Sequence, residues 1–218
     1  ILRICISTPR KRLDVDTGFP FALFASCAQH IVIARITADV LITPGGFFTK
    51  HLRGMELKVK MGPESDARQY SPIAQHFLSD AVRKLMNIVG KLKLQRSIKF
   101  MTLGFDLRDG AGNGIEYVAV VDLQKQRVLR WTGKSYPTTH QTRSLVYCTN
   151  LRSHFVTLGG NKTMVLGCHD LNIFSHRAQA SVRPGTYKHG TQKKMLGLAK
   201  AVRPTTVLHH PHFTDTGK

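Results

Sequence analysis

Two carboxylates stand nearly alone in the second half of this chain. Residues 123–218 carry 15 Lys or Arg but only two acidic side chains, Asp170 and Asp215, together with eight of the chain's eleven histidines. Each acid follows an apolar run and has histidine beside it. Cys168-His169-Asp170 comes after Met164-Val165-Leu166, and the His209-His210-Pro211-His212-Phe213-Thr214-Asp215 segment comes after Thr206-Val207-Leu208. A basic field favours the ionised form of a carboxylate. An ionised carboxylate beside a sugar can stabilise an oxocarbenium-like centre or orient an attacking water, with histidine moving the proton. Plainer roles are available to the same residues. Asp215 could be satisfied by a neighbouring Lys or Arg, Asp170 could cap the turn towards Asn172, and His209 and His210 could simply close a strand.

The charge of the whole chain bears on its partner. Across 218 residues, 32 Lys and Arg face 13 Asp and Glu, for a formal charge of +19. Such a charge costs self-repulsion unless a polyanion offsets it, and nucleic acid fits best because each neutralised phosphate also releases a counterion. A membrane surface would call for a basic amphipathic helix or a lipid anchor, and neither pattern is visible. The four cysteines, Cys5, Cys27, Cys148 and Cys168, form no CxxC pair, which argues against a zinc ribbon and for reduced, mostly buried thiols. With no leader or spanning segment visible, the expected location is intracellular.

A metal-dependent nuclease or phosphoesterase is the rival reading, using Asp106, Glu116, Asp122 or Asp170. Its signatures are incomplete. No Asp-x-His occurs, hard divalent ions want several carboxylates, and Asp122-Leu123-Gln124-Lys125 has one residue too many for an acid-x-Lys element. A binding module without catalysis is the third possibility. Neither metal nor cofactor is expected.

The elements that must position these residues read as one α+β domain spanning 1–218. Ser71-Pro72 opens a long helix near residues 72–93, with Ile73, Phe77, Leu78, Ala81, Val82, Leu85, Ile88 and Val89 at helical spacing. A second helix runs from Thr191 to about Val202, before Pro204. Strand patterns cover 31–42, 57–60, 98–107, 116–123, 127–132, 145–147, 155–158, 163–166 and 205–208, and the continuously apolar Val118–Val121 suggests burial on both faces. An antiparallel sheet is the simplest architecture.

His212-x-x-Asp215, in a basic, β-rich chain of this size, resembles the PabI-type restriction DNA glycosylases. Arg35, Glu64 and Tyr70 follow that family's upstream order of Arg, Glu and Tyr, with Glu56 a rival for the acid. The resemblance implies a strongly curved antiparallel sheet, the half-pipe, and a prokaryotic cytoplasmic homodimer on double-stranded DNA. It implies a 5'-GTAC-type palindrome and hydrolysis of the adenine N-glycosidic bond after base flipping. In that scheme Tyr70 stacks on the base, His212 contacts or protonates it, and Asp215 stabilises the sugar cation. Arg35 and Glu64 read base edges, and either Lys134 or Lys162 supplies the amine for β-elimination.

Overall fold

A computed structural model describes residues 18–52, 62–64 and 72–212. Four layers are stacked. Helices α1 (Phe19–Ile33) and α2 (Pro72–Leu92) cover one face of a seven-stranded sheet. The strands of that sheet are β1 (Ala38–Ile42), β2 (Phe48–Leu52), β3 (Gly62–Glu64), β4 (Ile98–Asp109), β5 (Gly114–Asp122), β6 (Arg127–Gly133) and β7 (Leu145–Cys148). Its other face packs on a three-stranded sheet of β8 (Phe155–Leu158), β9 (Asn161–Leu166) and β10 (Thr206–His209). Helices α3 (His176–Ser181) and α4 (Tyr187–Val202) complete the chain, and α4 buries Met195 against Tyr136, Leu151 and Ile173.

Side-chain alternation on β5 shows why it lies at the centre. Ile115, Tyr117, Ala119 and Val121 join the core beneath the helices, while Val118 and Val120 meet Leu158, Val165 and Leu208 of the second sheet. A period-2 strand with both faces apolar can only be buried on both sides. The Val118–Val121 run carries that information, and the expected burial on both faces is met.

The half-pipe expectation fails here. Two stacked sheets replace one curved sheet, and the pairing is mixed: β1–β4, β2–β4, β3–β7, β5–β7 and β9–β10 are parallel, while β4–β5, β5–β6 and β8–β9 are antiparallel. The expected strand over 31–42 is also corrected. Its first residues end α1, which buries Phe24, Ala28 and Ile31 at helical spacing. Arg35 then takes a left-handed conformation at φ 53° in the exposed turn before β1. Because α1 is apolar around most of its circumference, its periodicity is weak.

The central β4–β5 hairpin is flanked by strands that break off opposite each other. Along β4, β1 pairs with 98–102 and β2 with 105–109. The connection between them crosses at Gly104, whose N–H donates to Thr43 Oγ1 at 2.9 Å. Along β5, β7 pairs with Gly114 and Ile115, and β6 with residues from Tyr117 onward. At that gap Lys134 N–H donates to Glu116 O at 3.2 Å.

Gly104 has no room for a side chain: a Cβ there would lie 2.2 Å from Pro44 O and 2.8 Å from Gly45 Cα. Gly104→Ala must push the crossing segment outward. The expected result is a loss of about 1–3 kcal/mol, the usual cost of overpacking, measured by urea denaturation. A variant with the parent midpoint would show that the crossing is not tight.

Candidate active site

The two breaks frame a cluster of charged groups between the sheets. Asp106 and Glu116 are directly paired across β4 and β5 and both are buried, at 1% and 6% exposure. Alternation sends them, with Arg108, to the face opposite the helices. Arg108 Nη2 donates to Glu116 Oε1 at 2.6 Å and reaches Asp106 Oδ2 at 3.4 Å. Lys134, just past β6 and fully buried, donates from Nζ to Glu116 Oε2 at 2.7 Å. Burial opposes the Arg108 charge, but Asp106 and Glu116 together hold its pKa above the ordinary value.

His212 enters from beyond β10. Its Nε2–H donates to Asp106 Oδ1 and Oδ2 at 2.9 and 3.1 Å, and Nδ1 lies 3.9 Å from Glu116 Oε2. Burial works against its charge, yet Asp106 first and then Cys168 and Glu116 push its pKa up to about 10. Neighbouring His210 is fully buried and is pushed down to about 3 by that burial, so it is neutral.

Cys168 follows β9, which runs parallel to β10, so the two strand ends bring it next to His212. His209 Nε2–H donates to Cys168 O at 2.9 Å. Burial would raise the Cys168 thiol, but His212 first and then the charge of Lys134 hold it below the usual thiol range. That is the environment of a reactive cysteine rather than an inert one. Cys148, in contrast, is raised by burial.

Asp170 ties this arrangement together. Ser135 N–H and Tyr136 N–H donate to its Oδ1 at 2.9 and 2.7 Å, and Gly167 N–H donates to Oδ2 at 3.0 Å. One buried carboxylate therefore fixes both the segment after Lys134 and the turn before Cys168. Its role is structural, but its partners are not the turn towards Asn172 that the sequence suggests.

Asp106, Glu116 and His212 each offer a ligand atom within 4.8 Å of the others, the spacing of a metal site. The donor set does not suit a divalent cation. Arg108 and Lys134 already neutralise the two carboxylates and would repel an ion placed among them. With His212 protonated, the cluster carries one surplus positive charge, which a Cys168 thiolate would balance. The set fits an anionic sulfur.

The other residues singled out in the sequence are scattered. Asp215 and Tyr70 lie outside the described residues, as does the rival Glu56. Glu64 ends β3. Arg35 lies in the exposed turn after α1. Lys162 is exposed at the start of β9, the end opposite Cys168. Asp122 caps its own turn, accepting from Lys125 N–H at 2.9 Å. Lys134 and His212 do belong to the cluster, though not in the arrangement expected of them. Cys168 is the member of the cluster that the sequence does not single out. The available signal was its place between an apolar strand and His169-Asp170.

Among the described residues no helix is long and apolar enough to cross a membrane. By sequence, the chain matches no protein-family model and no curated protein. By structure, it is similar to an amidase from Nesterenkonia sp. (TM-score 0.52, 15% identity, 94% of this chain and 62% of that one). A cysteine-to-alanine mutant of the Nesterenkonia AN1 amidase, from the nitrilase superfamily, matches with TM-score 0.52 at 13% identity over 94% of this chain and 63% of that one. The glutamine-dependent NAD+ synthetase from Acinetobacter baumannii matches with TM-score 0.50 at 17% identity, over 92% of this chain and 30% of that one. The chain thus spans less than two thirds of each. These likenesses establish the fold, the α-β-β-α sandwich of the nitrilase superfamily. They overturn the PabI-type resemblance, and with it the adenine glycosylase activity, the double-stranded DNA partner and the homodimer inferred from a palindromic target.

Proposed function

We propose that this chain is a cysteine-dependent hydrolase of C–N bonds in small amides, with Cys168 as nucleophile. The observation that carries the reading is the placement of Cys168 after β9, where the parallel pairing with β10 sets it beside His212; His212 and Lys134 hold its thiol below the usual range. A thiolate is the attacking form of cysteine. Lys134, fixed by Glu116, supplies the positive field in which negative charge develops on the carbonyl oxygen of the transition state. The fold supports the reading. Variants of the Nesterenkonia amidase hold the acetamide moiety of fluoroacetamide covalently at the active-site cysteine, and that same chemistry provides a probe here.

Incubation with fluoroacetamide should add one acetamide moiety at Cys168, located by peptide mass spectrometry. Short aliphatic amides should release ammonia. Cys168→Ser should abolish the labelling and lower ammonia release on the order of a thousand-fold or more, as loss of a nucleophile does elsewhere. Ammonia release undiminished in Cys168→Ser would refute the assignment.

A further inference from the structure

We infer that His212, oriented by Asp106, is the proton carrier of this site: it pairs with the Cys168 thiolate, protonates the departing nitrogen and then takes a proton from the attacking water. The inference rests on the hydrolase reading above and extends it to a residue that nothing in the fold likeness assigns. Three observations carry it.

First, the ring is oriented. Nε2–H is committed to both oxygens of Asp106 at 2.9 and 3.1 Å, which leaves Nδ1 as the nitrogen for exchange. The ring lies beside the Cys168 thiol, close enough for each to shift the other's pKa, and keeps 22% of its surface exposed. Second, the carboxylates are occupied. Glu116 receives Arg108 on one oxygen and Lys134 on the other. Asp106 receives His212 and Arg108. Neither is placed to take the thiol proton.

Third, the loop between β1 and β2 is shaped around the imidazole. A Cβ on Gly45 would lie 2.8 Å from His212 Cε1 and Nδ1. One on Gly46 would lie 3.0 Å from Asp106 Oδ2 and 3.2 Å from His212 Cδ2. Gly45 N–H donates to Pro211 O at 3.0 Å, anchoring the segment that presents the ring. A nucleophile, an imidazole and an oriented carboxylate form the constellation that recurs on unrelated hydrolase folds.

The steps balance. The thiolate attacks the amide carbon, forming the C–S bond and an oxyanion. Collapse of that adduct breaks C–N as His212 gives its Nδ1 proton to the leaving nitrogen, which departs as ammonia or an amine. Neutral His212 then takes a proton from water. The resulting hydroxide adds to the thioester, the C–S bond breaks, and carboxylic acid leaves with the thiolate–imidazolium pair restored.

The groups facing His212 are Asp106 and Arg108 from β4, Glu116 from β5, Lys134 after β6, Cys168 and His169 after β9, and His210 directly after β10. Burial and the Lys134 charge hold His169 below its ordinary value, and His210 is neutral. The acid limb of Cys168 reactivity is therefore set chiefly by His212 and Lys134.

The test is the pH dependence of Cys168 alkylation by iodoacetamide, a readout that needs no turnover, alongside kcat and KM for an amide. Wild-type alkylation should have its acid limb below the free-thiol value of about 8.5. In His212→Gln the limb should move up towards or past that value. The same change should lower kcat by about 100-fold or more with little change in KM, and added imidazole should restore part of the rate. An unmoved limb in folded His212→Gln overturns the inference. Should that variant not fold, Asp106→Asn decides in the same way: an upward limb supports it and an unmoved limb overturns it. Wild type that hydrolyses no amide while the limb still moves would refute the hydrolase reading and leave the Cys168–His212 pair standing.

Discussion

Asp170→Ala is expected to lower the stability of the chain by at least about 3 kcal/mol, because each buried N–H left without an acceptor costs about 1–3 kcal/mol. Three such donors, on Ser135, Tyr136 and Gly167, converge on this one carboxylate at 2.9, 2.7 and 3.0 Å, and Asp170 is fully buried. Water cannot readily replace the acceptor without a cavity lined by further polar groups. The loss should reach the chemistry as well. Lys134 precedes Ser135 and Cys168 follows Gly167, so releasing Asp170 frees both from their shared tether. Amide hydrolysis should fall on the order of 100-fold even in the fraction that remains folded, as small misplacements of reacting groups do.

Asp170→Asn sharpens the test. The amide keeps one acceptor oxygen but points an NH2 group at the donors on its other side, so it should retain only part of the stability. Urea denaturation gives the first measurement, and hydrolysis at a concentration of folded protein fixed by circular dichroism gives the second. An Asp170→Ala protein with the parent midpoint would show that the three donors find other partners.

How far these residues could be read in advance depended on the kind of signal they leave. The β4–β5 hairpin and α2 follow from periodicity, because apolar side chains must recur at 2 or about 3.6 residues to face a core. The long helix expected near 72–93 is found at Pro72–Leu92. Helix α1 is hidden by its own uniformity, and its last residues, 31–33, fit a strand pattern for the same reason. The second sheet was unreadable as a layer. Strands β8, β9 and β10 each fit a short apolar run, but nothing local says that they stack on β5.

The site assembles residues 106, 108, 116, 134, 168 and 212 through two sheet breaks and a parallel strand pair, so no spacing in the sequence encodes it. His212 illustrates the difficulty. Three residues from Asp215 in sequence, it takes its carboxylate from Asp106, 106 positions away. The charge misled for a related reason. A net +19 suggests a polyanion, but Arg108 and Lys134 cancel against the buried Asp106 and Glu116 in that sum. The excess resides in other residues and carries no information about this cluster. Cys168 reads as an inert thiol while its neighbours in space are unknown, since the groups that lower its pKa, His212 and Lys134, are distant in sequence.

The buried Lys134–Glu116–Arg108 chain supplies the other large effect, and the order of its variants is the informative part. Glu116→Gln removes the counter-charge of an ammonium with 1% side-chain exposure. An unpaired buried charge of this kind costs about 3–5 kcal/mol, and Arg108 retains only its 3.4 Å contact with Asp106. Lys134→Met should cost less, because Glu116 keeps Arg108 at 2.6 Å and the methionine fills the space of the lysine stem. In Glu116→Gln/Lys134→Met no ammonium remains to be stranded, so the double variant should recover much of the stability lost by Glu116→Gln alone. The measured coupling between the two sites should exceed about 1 kcal/mol. Hydrolysis should not return with stability. In the proposed reaction Lys134 supplies the field that lowers the Cys168 thiol and stabilises the oxyanion, and methionine would supply neither. Denaturant midpoints paired with amide turnover for all four proteins separate the two roles. If turnover recovered along with the midpoint in the double variant, Lys134 would be a structural cation and its part in the chemistry would be withdrawn.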